Sequence, residues 1–162
     1  MNKRKGFTLV ELLVVIAIIA VLAGALLIGI NPQALIQKSR DSKRLQDLDS
    51  LNKALTIAIV EGEMLLADAT GDSSGSQAVN GTGYVSYTVP VGKTGLSRYI
   101  STLPIDPLNT APNLYYYASS VAGNYELNTI LEHPDNLVKM QVDGGNDPAR
   151  FEVGTALTLM SP

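Results

Sequence analysis

The chain has 162 residues, which suits one domain. It has no cysteine, which excludes disulfide scaffolds, thiolate metal sites and cysteine nucleophiles, and its one histidine, His133, is too little for a His-based metal or acid–base centre. A formal net charge of −3 argues against direct nucleic-acid binding through a basic face.

The chain opens on Lys3, Arg4 and Lys5. Behind them lie 24 residues, Phe7 to Ile30, of which 20 are hydrophobic; the exceptions are Thr8, Glu11, Gly24 and Gly29. The remaining 138 positions are far more polar. As a helix, the uncharged stretch from Leu12 to Ile30 reaches about 28 Å, one bilayer core. The leading basic cluster holds the first residues in the cytoplasm and sends the rest across. A second basic group, Lys38, Arg40, Lys43 and Arg44, weakens that orientation without reversing it.

Three readings fit this segment. A secretory signal peptide would be cut near Ala23-Gly24-Ala25. A generic single-span anchor would stay. The third reading starts from Glu11, because a carboxylate in an apolar span costs about 2.5–3.5 kcal/mol at the centre and less near an interface. A cut between Gly6 and Phe7 would create an amine one helical turn before Glu11. That amine could pair with Glu11 of its own chain or of a neighbour, which would make the acid a register-setting contact in an assembly.

Residues 5–16, Lys-Gly-Phe-Thr-Leu-Val-Glu-Leu-Leu-Val-Val-Ile, resemble the N-terminal signature of type IV pilins and type II secretion pseudopilins. The resemblance implies that a prepilin peptidase cuts after Gly6 and methylates the new N-terminal Phe7. It also implies that Glu11 makes the assembly salt bridge. A prepilin keeps its apolar segment and loses only residues 1–6.

Asn31-Pro32 interrupts the apolar run, with Asn31 suited to an N-cap and Pro32 to the first helical position. Leu45, Leu48, Leu51 or Asn52, Leu55 and Ile59 then recur at helical intervals. That stripe predicts a face packed on a sheet, with Lys38, Arg40, Lys43, Arg44, Asp47 and Lys53 on other faces. Gly62 is the expected stop. The reading is one long helix over residues 7–61, kinked near Pro32.

Residues 68–83 read as a polar, Gly/Ser-rich flexible connection. Tyr84–Val89 is a predicted strand and Leu96–Leu103 a short helix or turn. Leu103-Pro-Ile-Asp-Pro107 resembles a segment preceding the sheet of major pseudopilins. Leu114–Ala118 and Tyr125–Leu131 predict a hairpin around Ala122-Gly123-Asn124. Tyr115, Tyr116 and Tyr117 alternate faces and are expected to pack the sheet. Val138–Val142 and Phe151–Val153 are further predicted strands, and His133 is expected in a surface loop. Major pseudopilins often bind calcium in a head loop, so the resemblance makes Asp143, Asn146 and Asp147 candidate ligands.

No residue spacing supports catalysis. The reading is an α+β, pilin-like fold: a leader (1–6), a transmembrane and assembly helix (7–30), its amphipathic second half (31–62) and a β-rich head (63–162). The resemblance implies an inner-membrane subunit with its head outside the cytoplasm. Its partners would be copies of itself, the prepilin peptidase and the secretion or pilus assembly machinery. The favoured function is a type II secretion pseudopilin. The alternatives are a type IV pilin for adhesion, motility or DNA uptake, and a membrane-tethered binding domain that never polymerises.

Overall fold

The structure is a computed structural model that describes residues 6–161; Lys3, Arg4 and Lys5 lie outside them. The chain forms two compact units, Met1–Ile36 and Gln37–Pro162.

Helix α1, Leu9–Ile30, has 22 residues and spans about 33 Å. Its Leu9–Leu26 stretch is long and apolar enough to cross a membrane, and none of that stretch is buried within the chain. Helix α2 runs from Pro32 to Val60. The predicted single helix is corrected here, because Asn31 adopts left-handed backbone (φ 44°) between the two. Asn31 also accepts the Ala34 N–H through Oδ1 at 3.3 Å, as an N-cap does, and Pro32 takes the first helical position.

Four short strands follow: β1 (Ala69–Asp72), β2 (Tyr116–Ser119), β3 (Tyr125–Thr129) and β4 (Phe151–Gly154). They form one antiparallel sheet in the order β1-β2-β3-β4. The predicted hairpin is β2–β3, with Tyr116 opposite Asn128 and Ser119 opposite Tyr125. Gly123 takes positive φ in its loop and donates to the Ser120 carbonyl.

The leucine stripe of α2 is the core face. Leu48, Leu51, Ala54, Leu55 and Ala58 are buried together with Tyr115, Tyr117, Tyr125 and Leu127 of the β2–β3 region. Tyr84, Val85, Tyr87, Leu96 and Leu103 complete this core from the connecting segments. Tyrosine hydroxyls fasten the layers: Tyr115 donates to Asp47 Oδ2 at 2.9 Å, and Tyr125 lies 2.7 Å from Asn52 Oδ1. Tyr116 points to the opposite face, where the Arg150 guanidinium stacks 4.5 Å from its ring centre.

Three element predictions are corrected. Residues 68–83 are not only a connection, because Ala69–Asp72 pairs with β2. Nothing local favours a strand in Ala-Thr-Gly-Asp; the pairing is long-range, and Gly71 fits because a Cβ there would lie 2.2 Å from the Tyr84 carbonyl oxygen. Tyr84–Val89 forms no ladder, only isolated bridges such as Leu65–Thr88. The short helix or turn predicted at 96–103 is a 3-10 helix, Gly95–Arg98, followed by a turn. Val138–Val142 is helical, within α3 (Leu137–Val142). Its alternation of apolar and polar residues mimics a strand, but only Met140 of α3 is buried, and a 3-10 turn at Pro134–Asn136 starts the helix.

Candidate functional site

The N-terminal motif is organised around Thr8 and Glu11. Thr8 is the N-cap of α1, and its Oγ1 accepts the Glu11 N–H at 3.3 Å. Glu11 Oε2 in turn accepts from Thr8 N–H and Thr8 Oγ1–H, both at 2.8 Å. This is a capping box, with the two residues three apart, satisfying two helix-terminal donors. Reading Glu11 for an amine partner missed Thr8 as its bonding partner in the uncut chain, although Thr-x-x-Glu is the sequence signature of this box. Gly6 and Phe7 precede the helix and are exposed, so the expected cleavage bond is sterically open.

A second cluster binds the start of α2 to the head, and sequence reasoning missed it. Arg44, expected on a solvent face, is fully buried, as is Asp41. Both lie on the leucine stripe, one turn and two turns before Leu48. Arg44 grips Asp106 with two bonds, Nε–Oδ2 at 2.6 Å and Nη2–Oδ1 at 3.0 Å. Its Nη1 reaches Asp41 Oδ1 at 3.0 Å and Glu132 Oε1 at 2.5 Å. Arg40 grips both oxygens of Glu132, Nε to Oε1 at 2.9 Å and Nη2 to Oε2. Asp41 also accepts from Glu132 N–H, His133 N–H and Asn136 Nδ2, at 2.8–2.9 Å.

The electrostatics follow from these contacts. Burial works against the Arg44 charge, but bonds to Asp106 and Glu132 outweigh it and hold the guanidinium more firmly protonated than usual. The Arg40 bond leads in holding Glu132 below the ordinary carboxylate range, with Arg44 contributing. Two distant head segments, at Asp106 and at Glu132–Asn136, are thereby pinned to one turn of α2. His133 is more than a loop residue, since its Nδ1 accepts the Asp135 N–H at 3.2 Å and starts the 3-10 turn.

The three calcium candidates, Asp143, Asn146 and Asp147, stand between α3 and β4, and each has a partner within the chain. Asp143 uses its two oxygens for the N–H groups of Gly145 and Glu152. Asn146 turns its Nδ2 to the Met160 carbonyl. Asp147 accepts the Ala149 N–H and faces the Arg150 guanidinium, Nε to Oδ2 at 3.4 Å. Asp143 and Asp147 thus accept from backbone N–H groups, with a guanidinium beside Asp147, while Asn146 donates to a backbone carbonyl. Among the described residues no group of three or more acidic or histidine side chains stands at metal-binding spacing.

An N-capped apolar helix long enough to span a membrane, followed by an amphipathic helix packed on a four-stranded antiparallel sheet, defines a pilin-like subunit. Residues 1–27 match the family described as prokaryotic N-terminal methylation motif. The chain is 30% identical over 111 residues to a fimbrial protein of Pseudomonas aeruginosa, an alignment covering 64% of this chain and 70% of the relative. No solved structure matches it. The chain belongs to the type IV pilin and pseudopilin family, a family of structural subunits. Membership brings filament self-assembly and prepilin peptidase processing.

Proposed function

We propose that this pilus-like subunit works as a type II secretion pseudopilin, assembling through its N-terminal helix to support protein export. The observation that carries this reading is the Leu103–Pro107 segment, similar to that of major pseudopilins, whose Asp106 is seated on the buried Arg44. A head closed without cysteine agrees with it. On this reading α1 rests in the inner membrane with the head outside the cytoplasm. The prepilin peptidase cuts between Gly6 and Phe7 and methylates Phe7. Glu11 then exchanges its Thr8 bonds for the Phe7 amine of a neighbouring subunit.

The fimbrial relative favours a second reading, a surface pilin serving adhesion, motility or DNA uptake. A deletion strain separates the two. Loss of protein secretion with surface attachment and DNA uptake intact supports the pseudopilin; the reverse pattern refutes it. Sequencing the mature N-terminus should give methylated Phe7, and a start near Leu26 would refute the processing step. Glu11→Ala should insert in the membrane but fail to give adjacent-subunit crosslinks between cysteines introduced near Phe7; normal crosslinking would remove Glu11 from assembly.

A further inference from the structure

The salt bridges of the head leave one cation over. The chain has 12 lysines and arginines, and nine remain once Lys3, Arg4 and Lys5 are set aside. Eight of the nine meet a carboxylate. Lys139 of α3 is the exception: it is exposed and has no acidic partner among the described residues. On the acidic side, Asp68, Asp72, Glu126, Asp143 and Glu152 of the head meet no cation among the described residues. Glu126 and Glu152 are buried. Asp72 and Asp143 are half-buried and turned to backbone N–H groups. Asp68 is the exposed one, and its Oδ1 accepts the Val121 N–H at 3.0 Å.

Lys139 and Asp68 lie too far apart to pair within one head. Asp68 directly precedes β1, one edge of the sheet. β4 is the other edge, and α3 packs beside it, with Asp143 at the end of α3 accepting the Glu152 N–H at 2.8 Å. Three strand spacings, about 14 Å, separate those edges. Each charge sits beside exposed apolar side chains. Met140 is the buried side of α3, so Val138 and Val142, one turn apart, form its outer side and are 60% and 73% exposed. Val121, held by the Asp68 bond, is 73% exposed. One edge of the head thus presents a lysine with two valines, and the opposite edge an aspartate with one.

We propose that α3 of one head docks on the β1 edge of the next copy of this chain, pairing Lys139 with Asp68 and laying Val138 and Val142 against Val121. The partner is a second copy because each patch carries the charge that the other lacks, and because the family self-assembles. Patches on opposite edges cannot both engage in one symmetric pair, so the contact repeats head to tail. A contact of that kind closes a ring or extends a filament, and filament assembly selects the second. This joint rests on the reading of the chain as a filament subunit, and it adds to the apolar contact of α1 an ionic one between heads. Being exposed, it weakens as salt screens it.

The test is oxidative crosslinking of the full chain in cells that assemble the filament, where the absence of native cysteine removes background. A chain carrying both Val138→Cys and Val121→Cys should give ladders beyond the dimer, and neither substitution alone should. In that background Lys139→Glu or Asp68→Lys should cut the ladder about threefold or more, and the two together should restore it. Asp68→Asn keeps an acceptor for the Val121 N–H and deletes the charge, so a cut there is not a folding defect. Cysteines near Phe7 report α1 assembly separately. Intact α1 crosslinks without head ladders would overturn this joint and leave the filament reading standing. Absence of α1 crosslinks would remove the filament reading and the joint with it. Crosslinks that stop at the dimer, ladders indifferent to all the charge variants, or failure of the exchange to rescue would each overturn the proposal. So would capture of a different protein by the α3 cysteine in place of this chain.

Discussion

Replacing Arg44 with alanine removes a buried guanidinium that holds Asp41, Asp106 and Glu132 at once. Breaking a buried ion pair by deleting one partner costs about 3–5 kcal/mol, since the surviving charge has neither water nor a counter-ion. The structure places this case towards the lower end. Asp41 keeps three other donors, and Asp106 keeps the N–H groups of Leu108 and Asn109. Glu132 keeps Arg40. The expected loss is therefore about 3 kcal/mol, a fall in Tm of roughly 10 °C for a folded unit of this size. Urea unfolding of the full chain in detergent, followed by near-ultraviolet circular dichroism of the buried tyrosines, measures it. Arg44→Lys keeps one charge but loses the forked grip on Asp106, so it should recover only part of the loss. A cost below about 1 kcal/mol for Arg44→Ala would refute the claim that this cluster pins the head to α2.

Gly71→Ala puts a Cβ 2.2 Å from the Tyr84 carbonyl oxygen, and the backbone shift it forces should cost roughly 2–3 kcal/mol by the same unfolding assay. Tyr125→Phe deletes the hydroxyl that meets Asn52 and should cost about 1 kcal/mol with the fold unchanged by circular dichroism. Glu132 is held below its ordinary pKa, so its contribution is present above the unfolded value near 4.5 and is lost as pH falls below it. The urea midpoint should fall as pH drops below about 4.5, and Glu132→Gln should flatten that fall.

The long-range periodic features were readable from sequence, and the short and non-local ones were not. The apolar run and the stripe through Leu48, Leu51 and Leu55 repeat over many turns, so each residue supports its neighbours' assignment. The β2–β3 hairpin was legible because strong strand formers flank Ala122-Gly123-Asn124. Strand β1 is hidden because its order comes from β2, 50 positions away in the register of Ala69 with Ser119. In α3, five alternating residues fit both periods, and the turn beginning at His133 decided between them. Arg44 departs from the general rule that a charged side chain is exposed. The spacing 41-44-48-51-55-58 contains the correction: the core stripe extends backwards through two charged residues, and a buried arginine requires acids such as Asp106. The capping box at Thr8 is written in the sequence as Thr-x-x-Glu, which gives Glu11 a hydroxyl partner that carries no charge.

The Arg44 cluster joins positions 41, 44, 106 and 132, closing loops of 62 and 88 residues without a covalent bond. A disulfide across such spans would make the head depend on an oxidant and fail under reduction. Ionic closure frees this head from both conditions. It can be completed as soon as the chain has folded, whatever the redox state around it, and a reductant has nothing to break. Acid can still undo it, by protonating the carboxylates that Arg44 gathers.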